Sequence, residues 1–323
     1  MQINKKVSLF ERHPKYTFML IWLFFLLVFL VLSEVMLKQF TGLGSPVLFH
    51  KSSSFGYRLQ PNQEITWFFG AHFKINNLGL RSKEDWDASV ESKILFVGDS
   101  VTYGGNHISN EELFSEVAVK NLPNFQSGNA GIPNWGVENV HALIVKENFL
   151  PAEIYVSTFI EHDFYRGLTS GDNKPWISFE KPYFALQELA EFYWHKFIRN
   201  PKKLNKAERE KSPPSIRSEQ AVLKLKEMDN LIKARGYSHV IFISPSLNQV
   251  LSKKQKDSNV ESLLAIYGVR AIYLLDKVNE SGASDDKKRS WYQDDKHLTS
   301  EGHRIWGEFM YDELRTLIRS NIL

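Results

Sequence analysis

Hydrophobic residues are unevenly distributed along the 323-residue chain, and the longest apolar run lies near its beginning. Residues 17–33 read TFMLIWLFFLLVFLVLS without a charge, and apolar residues continue after Glu34 as far as Leu37. About 20 apolar residues are needed to cross the hydrocarbon of a bilayer as a helix. The pattern therefore predicts a transmembrane anchor over residues 16–38, with Glu34 near its outer boundary, where a carboxylate reaches water.

The charges before this run predict its orientation. One acid, Glu11, and four basic residues precede it: Lys5, Lys6, Arg12 and Lys15. Basic residues favour the cytoplasmic side, so we expect a cytoplasmic tail over residues 1–15 and an exported remainder. The alternative is a cleaved signal peptide, which would have a shorter apolar core and a small-residue cleavage site. The anchor is favoured because no A-x-A-like site follows the run.

Beyond the anchor, short apolar runs alternate with stretches of helical spacing. Residues 39–92 are rich in Gly, Ser, Pro and aromatics and predict an extended lead-in segment, with short strands at 64–68 and 72–75. From residue 93 the pattern predicts five strands (93–97, 125–130, 153–159, 239–244 and 271–275) and helices at 111–120, 137–148 and 300–318. Such alternation favours an α/β domain over residues 93–323, with helices on both faces of a parallel sheet.

Two stretches interrupt this alternation and predict an insertion over residues 164–214. Residues 164–199 are rich in aromatics and are read either as a packed helix or as a cover over the active site. Residues 200–214 read NPKKLNKAEREKSPP, which predicts an exposed mobile loop.

Composition excludes several classes of function. The 40 basic and 37 acidic residues give a net charge of +3 and are spread along the chain, which argues against nucleic acid as a partner. The chain has no cysteine, so disulfides, thiolate metal sites and cysteine nucleophiles are excluded.

Ser100 is the first candidate for chemistry. It follows the apolar run 93–97 in the sequence Gly98-Asp99-Ser100. In parallel sheets, ligands bind at the carboxyl ends of strands, and a helix that starts there offers backbone N–H groups to an oxyanion. Taken alone, Gly-Asp-Ser is also an ordinary turn, in which Asp99 would organise the backbone.

A second element near the C-terminus changes this balance. A serine hydroxyl needs a base to take its proton, and the base needs a carboxylate to fix its tautomer. Asp294 and His297 supply such a pair on one short loop before the last helix, with Asp295 as an alternative to Asp294. A helix-flanking surface histidine is the structural reading of His297.

Together these blocks resemble the SGNH hydrolases, also called the GDSL family, of membrane-anchored bacterial type. Residues 98–100 resemble the family's first block, and residues 294–297, which read DDKH, resemble its D-x-x-H block. Residues 57–62 and 75–81 are similar to a lead-in of anchored members. The resemblance implies a flavodoxin-like three-layer α/β/α sandwich with a mostly parallel five-stranded sheet. It also implies Ser-His-Asp ester hydrolysis or acyl transfer without a metal or cofactor.

The two middle blocks depart from the family pattern. Asn134 stands where the family has its oxyanion glycine, and His162, in the sequence IEHD over residues 160–163, stands where an asparagine normally donates. A backbone N–H at Asn134 and an imidazole at His162 can still donate hydrogen bonds to an oxyanion. A structural or substrate-contacting role for His162 is the alternative.

Other residues are weaker candidates. Glu161 and Asp163 flank His162, but no second histidine lies at metal-ligand spacing. For His303 a packing or capping role is favoured. Trp135 and Trp176 are the best-placed tryptophans for stacking on sugars, although core packing is the usual role.

These observations predict an extracytoplasmic serine esterase or O-acyltransferase in the bacterial cytoplasmic membrane. The expected substrate is an acetyl-type ester of a cell-surface glycan, by analogy with the family, and a lipid or thioester is the alternative. A catalytically weakened glycan-binding or polysaccharide-assembly protein remains the competing function. The sequence identifies no protein partner.

Overall fold

The computed structural model describes residues 9–66, 70–86, 92–149, 151–172, 174, 176–198, 213–252 and 256–319. Predictions for other residues, including most of the charged loop at 200–214 and the beginning of the cytoplasmic tail, lie outside the described residues.

The apolar run near the N-terminus forms one long helix. After a short helix α1 (Leu9–Arg12), helix α2 (Pro14–Thr41) extends over 28 residues and ends at Gly42 in the left-handed conformation (φ 72°). None of its side chains is buried, and it is long and apolar enough to cross a membrane. The predicted segment 16–38 lies inside this helix, while the membrane and the orientation stay predictions.

A parallel five-stranded sheet forms the centre of the fold. Its strands are β5 (Ser92–Gly98), β6 (Phe125–Gly131), β7 (Ile154–Ile160), β8 (Ser238–Ser244) and β9 (Ile272–Tyr273), in the order β6-β5-β7-β8-β9. Every pair of neighbours is parallel. The α/β fold class is therefore confirmed.

Four shorter strands precede the sheet and form two antiparallel hairpins. They are β1 (Phe49–Ser52), β2 (Gly56–Leu59), β3 (Gln63–Thr66) and β4 (His72–Ile75). Beyond them, two backbone hydrogen bonds of 2.9 and 3.1 Å join Arg81 to Asn129 of β6. The lead-in thus continues the edge of the central sheet.

Helices cover both faces of the sheet, as the alternating pattern predicts. In the described residues after the lead-in they are α3 (Ser100–Tyr103), α4 (Phe114–Val119), α5 (Val137–His141), α6 (Ala185–Tyr193), α7 (Pro214–Ala234), α8 (Leu247–Ser252), α9 (Ser258–Ile266), α10 (Leu274–Glu280), α11 (Asp285–Ser290) and α12 (Ser300–Arg319).

Two hydrophobic clusters, one on each face of the sheet, form the core. Ile94 and Phe96 of β5 pack with the cluster that includes α4 and α12. Leu95 and Val97 pack with the cluster that includes α5, α7, α9 and the lead-in. Alternate residues of one strand therefore enter opposite layers, which gives the three-layer sandwich.

Some predicted elements differ from the observed ones. The strand expected at 271–275 ends at Tyr273, because Leu274 and Leu275 turn into α10 and bury their side chains there. The helix expected at 137–148 is α5 followed by a π-helical turn, Ala142–Lys146. Helix α7 was not predicted, although its buried residues, among them Ala221, Leu225 and Ile232, follow helical spacing.

The described part of the insertion lies beside the lead-in and the anchor. Ser178 forms a parallel bridge with Leu48, and the ring of Phe179 lies 6.5 Å from that of Tyr57. Helix α6 contacts α2. Most aromatic side chains of residues 176–198 are nevertheless exposed, so the packed reading is not confirmed for them, and the choice between it and a cover over the active site stays a prediction.

Candidate active site

Ser100 opens the short helix α3 directly after strand β5 of the five-stranded sheet. The preceding Asp99 caps this helix, since its carboxylate accepts a 2.8 Å hydrogen bond from the Val101 N–H. A Cβ at Gly98 would collide with the Thr102 side chain and the Thr158 carbonyl, so a glycine is required for the tight turn. The capped turn places Ser100 at the carboxyl edge of the sheet, where its side chain is partly exposed.

His297 joins Ser100 to Asp294. Its Nε2 lies 2.9 Å from Ser100 Oγ, and its Nδ1 lies 2.7 Å from Asp294 Oδ2. The other carboxylate oxygen, Asp294 Oδ1, accepts hydrogen bonds of 2.8 Å from the backbone N–H groups of Lys296 and His297. The structure thus brings the three predicted residues together in the arrangement that a serine nucleophile, a base and an orienting carboxylate require.

The surroundings of Asp294 favour its charged form. Burial by itself would raise the pKa of Asp294, but the hydrogen bonds from the backbone and ring of His297 and from the Lys296 N–H lower it overall. A carboxylate that stays charged can hold the His297 Nδ1–H toward itself and stabilise an imidazolium.

Contacts between its two ends stabilise the loop that carries Asp294 and His297. Tyr292 and Leu298 form an antiparallel bridge, and Trp291, Tyr292 and Leu298 are buried. Asp295 points elsewhere: its Oδ1 accepts from the Asn248 N–H at 3.2 Å, and its carbonyl accepts from the Leu247 N–H at 2.8 Å. Asp294, and not the alternative Asp295, therefore meets His297.

The two candidate oxyanion residues follow the strands on either side of β5. Asn134 lies in the turn after β6 with a left-handed backbone (φ 64°), a conformation that asparagine tolerates better than most residues. His162 is exposed in the 3-10 turn Glu161–Tyr165 that follows β7. The sheet order thus brings both residues to the edge where Ser100 lies, and their role in binding an oxyanion stays a prediction.

A buried cluster of ionisable side chains lies beside Ser100. Asp99 and Asp163 are fully buried, and Arg166 Nη1 lies 3.1 Å from Asp163 Oδ1 and donates to the Trp135 carbonyl. Burial raises the pKa of both carboxyls; the charge of Asp99 raises the pKa of Asp163 further, while Arg166 opposes both shifts. The cluster fixes the loops after β5, β6 and β7 to one another.

Sequence reasoning missed Arg166. It assigned no role to this residue, because an arginine three positions after an aspartate is an ordinary surface pair. Only the fold buries Asp163 completely and leaves the Arg166 side chain 19% exposed.

The lead-in segment braces two of the catalytic loops. The buried Arg81 donates to the carbonyls of Gly105 (3.1 Å) and Ile108 (2.6 Å), in the segment after α3, and its guanidinium lies 3.8 Å from the Phe73 ring centroid. Burial lowers the pKa of Arg81 to about 10, so it remains charged at neutral pH. The Tyr57 hydroxyl donates to the Pro133 carbonyl beside Asn134. The two motifs noticed in the lead-in sequence thus support the site from outside.

A polar cleft of about 480 Å³ opens beside the Asp-His loop. Its lining combines amide, hydroxyl and charged side chains from four loops: Ile160, Glu161, His162, Ser246, Asn248, Gln249, Lys256, Asp257, Ser258, Asp295 and Lys296. The volume falls within the range of small-molecule sites. Because His162 and Lys296 belong to its wall, the cleft adjoins the Ser100 centre.

The side chains of Glu161, His162 and Asp163 do not converge on one position, as the ligands of a metal ion would. Glu161 accepts hydrogen bonds of 2.6 Å from Gln249 Nε2 and the Asp257 N–H, whereas Asp163 points inward to Arg166. In the described ranges, no group of three His, Asp or Glu side chains has an arrangement suited to a metal ion.

The remaining candidates divide between core and surface. Trp135 is fully buried, so it packs in the core and cannot stack on a sugar, whereas Trp176 is exposed. His303 is buried, stacks on Phe114 and accepts a 3.2 Å hydrogen bond from the Phe114 N–H. Burial lowers its pKa to about 3, which agrees with the expected packing role.

Comparisons with known proteins give distant likenesses only. No family model matches the chain, and no curated protein matches it. Among solved structures, the acetyl xylan esterase AlAXEase is 13% identical, with a TM-score of 0.43 over 69% of this chain and 99% of its own. A lipolytic protein of the G-D-S-L family from Veillonella parvula is 14% identical (TM-score 0.38; 69% and 98%). The esterase EstA from Pseudoalteromonas sp. is 13% identical (TM-score 0.39; 71% and 100%). At this distance the likenesses assign no function to the chain.

Proposed function

We propose that the chain is a serine ester hydrolase or O-acyltransferase with Ser100 as nucleophile, His297 as general base and Asp294 as its orienting carboxylate. The observation that carries the proposal is the continuous hydrogen-bonded path from Asp294 through His297 to Ser100, with lengths of 2.7 and 2.9 Å. The two ends of this path are almost 200 residues apart in the chain, so local sequence does not enforce it.

In the first half-reaction, His297 Nε2 takes the proton of Ser100 while Ser100 Oγ attacks the carbonyl carbon of an ester. The resulting tetrahedral intermediate collapses as His297 returns the proton to the leaving alcohol, which leaves an acyl group on Ser100. In the second half-reaction, water or another hydroxyl gives its proton to His297 and attacks the acyl-enzyme. The second tetrahedral intermediate collapses as His297 returns this proton to Ser100 Oγ, which releases the acid or the new ester and restores the serine. Asp294 stabilises the imidazolium in both steps.

The oxyanion of the intermediate requires donors at the same edge of the sheet. The backbone N–H of Ser100, the N–H of Asn134 and the ring of His162 are the candidate donors, because the next N–H of α3, that of Val101, is already bonded to Asp99. Donation by an imidazole depends on its tautomer and on pH, so His162 would make the rate more sensitive to pH than an asparagine would.

The cleft supports a carbohydrate ester as substrate. Its wall carries amides, hydroxyls and charged groups that can exchange hydrogen bonds with the hydroxyls of a sugar, whereas an acyl chain would engage none of them. We therefore favour an acetyl-type ester of a glycan over a lipid or thioester. Hydrolysis and transfer share the acyl-enzyme and differ only in the group that attacks it.

Helix α2 supports an anchored location. Its length, its composition and its lack of buried side chains fit a single span in the bacterial cytoplasmic membrane, with the basic N-terminus inside. The catalytic domain would then face the periplasm or the exterior, where surface glycans are accessible.

A glycan-binding or assembly protein with weakened catalysis is the second candidate. Asn134 and His162 favour it, since both replace residues that the family uses as oxyanion donors. The formed path between Asp294, His297 and Ser100 favours the enzyme, because a binding protein has no need of it.

Turnover of p-nitrophenyl acetate by the full chain in detergent tests the enzyme directly. We expect Ser100→Ala and His297→Ala to abolish activity, and Ser281→Ala, an exposed serine after α10, to retain it. A serine-reactive phosphonate should label the wild type and not Ser100→Ala. Folded wild type that neither turns over the ester nor takes up the phosphonate would refute the enzyme and favour the binding protein.

A further inference from the structure

Helix α6 and the residues around it expose an unusual number of aromatic side chains. Six of them lie between residues 183 and 197, which we call the aromatic segment: Tyr183, Phe184, Phe192, Tyr193, Trp194 and Phe197. Tyr183 is 85% exposed and Phe197 67%. Soluble surfaces rarely expose contiguous apolar patches of this kind without a binding partner.

We propose that the aromatic segment is a second membrane contact, lying in the lipid interface beside the anchor. The inference rests on the proposed insertion of helix α2 into a membrane, and it is independent of the proposed catalysis. It adds a lipid-facing surface on the catalytic domain itself.

Hydrogen bonds join the segment to the anchor helix α2 and to the residues just after it. Glu34 of α2 accepts hydrogen bonds from the backbone N–H groups of Ala185 (2.8 Å) and Leu186 (3.0 Å), the first residues of α6. Beyond the end of α2, the Gly44 N–H donates to Glu188 Oε2 at 2.6 Å. Glu34, which sequence reasoning treated as a boundary charge, therefore caps another helix.

These contacts define the depth of the aromatic segment relative to the membrane that would surround α2. Glu34 and Lys38, which form a 3.0 Å ion pair, are the first charged residues after the uncharged run 17–33. The boundary of the hydrocarbon should therefore lie close to Glu34. Helix α2 continues for about 10 Å beyond it to Thr41, at 1.5 Å per residue. The beginning of α6 is thus held at the level of the interface and not above the end of the anchor.

The chemistry of the segment fits that level. Leu186, Leu189 and Tyr193 recur at helical spacing on one side of α6, while Glu188 and Glu191 lie on another. Phe197 lies in the π-helical turn Trp194–Ile198 that follows. Tryptophan and tyrosine are enriched at membrane interfaces, and amphipathic helices with such an apolar side lie in the interface plane.

The exposed rings also form a continuous surface. Tyr193 and Phe197 stack with centroids 5.7 Å apart, and Lys196 Nζ lies 5.6 Å from the Phe192 centroid and 5.4 Å from that of Phe197. A lysine can cover apolar surface with its stem and place its ammonium among lipid head groups.

Lipid is favoured over a protein as the occupant because the surface is continuous with the anchor. No side chain of α2 is buried, most of its apolar side chains are exposed, and Phe40 near its end is 75% exposed. A membrane that surrounds α2 would meet α6 at the point where Glu34 joins the two helices. Two contacts would fix the orientation of the domain on the bilayer and so limit the distance from the membrane at which the cleft can take a substrate.

The absence of cysteine from the chain allows a direct test with single spin labels. Tyr193→Cys and Phe197→Cys report on the segment, and Val28→Cys reports on the anchor. The controls are Glu191→Cys, on the polar side of the same helix, and Asp312→Cys, exposed on α12 across the sheet. Each full-length variant is labelled in vesicles of phosphatidylcholine and phosphatidylglycerol, and its collisions with oxygen and with a water-soluble nickel complex are compared.

We expect oxygen collisions to dominate at positions 28, 193 and 197, with 193 and 197 shallower than 28, and nickel collisions to dominate at 191 and 312. Lipid contact at 28 together with nickel contact at 193 and 197 would overturn the inference and leave the anchor intact. Protection of 193 and 197 from both reagents would mean that protein covers the surface, and would also overturn it. Nickel contact at 28 would overturn the anchor and the inference together. Ester turnover, measured on the same samples, reports separately on the proposed catalysis.

Discussion

Replacing Asp294 by asparagine separates a catalytic carboxylate from a merely structural one, because the adjacent Asp295 provides a matched control. The amide oxygen of Asp294→Asn can still accept the backbone N–H groups of Lys296 and His297, so the loop should keep its shape. The change removes the negative charge 2.7 Å from His297 Nδ1. If the new NH₂ group faces Nδ1, the ring must carry its proton on Nε2, where it cannot accept the proton of Ser100.

The expected loss of kcat in Asp294→Asn depends on how far the side chains of Asp294 and His297 are exposed to solvent. Opposite charges about 4 Å apart attract by about 1 kcal/mol in water and about 4 kcal/mol at an effective dielectric constant of 20. The side chains of Asp294 and His297 are 56% and 38% exposed, so the lower half of that range applies to imidazolium stabilisation. The wrong tautomer adds to this loss, and a buried triad sets an upper limit of about 10⁴-fold. We therefore expect Asp294→Asn to lower kcat on the order of 10²- to 10³-fold.

The assay is p-nitrophenyl acetate turnover by the full-length variants. Asp295→Asn retains an amide oxygen for the Asn248 N–H and should stay close to wild type with p-nitrophenyl acetate, which has no sugar to contact the cleft wall, and circular dichroism should show both variants folded. A loss of less than about tenfold, equivalent to less than about 1.4 kcal/mol, in Asp294→Asn would refute the reasoning. An equal loss in both variants would refute it as well.

Three further predictions concern the oxyanion site, the buried cluster and the core. His162→Asn should retain activity within about an order of magnitude with a flatter pH profile, whereas His162→Ala should lose about 10²- to 10³-fold; equal activity of the two variants would exclude an oxyanion role. Arg166→Met should lower the free energy of unfolding by about 3–5 kcal/mol in urea titrations, because it leaves the buried Asp163 uncompensated; a loss below about 1 kcal/mol would mean that Asp163 is protonated and needs no cation. The pKa of His303 is about 3 in the folded chain against 6.5 unfolded, so between these values the unfolded state binds the extra proton. Stability should therefore fall by up to about 1.4 kcal/mol per pH unit as the pH drops from 6.5 to 3, and His303→Gln should reduce that slope in thermal unfolding curves.

Residues before the domain at 93–323 have structural roles. Some support the loops of the site, and others bind the aromatic segment. Tyr57 and Arg81 support the loops after β6 and β5, and α6 joins the same side of the domain to the anchor.

Local patterns in the sequence were sufficient for much of the fold. The runs at 93–97, 153–159 and 239–244 predict strands because a strand buried on both faces requires continuous apolar residues, and β5, β7 and β8 confirm them. The strand predicted at 271–275 was wrong for its last two residues, at the edge of the sheet. There, two residues pair with β8, and the remaining apolar side chains are buried equally well by a helix.

The candidate triad could also be predicted from local sequence, because Gly-Asp-Ser after a strand and Asp-x-x-His before a helix are both short-range patterns. Sequence alone determined which residue types could do chemistry and that parallel strands would bring their loops to one edge. The tertiary structure decided which of two adjacent aspartates forms the hydrogen bond with His297, that Trp135 is core, and that Arg166 pairs with the buried Asp163. It also decided that Glu34 caps α6. Each of these outcomes depends on side-chain direction and burial across long sequence separations, which only the packing of the whole chain defines.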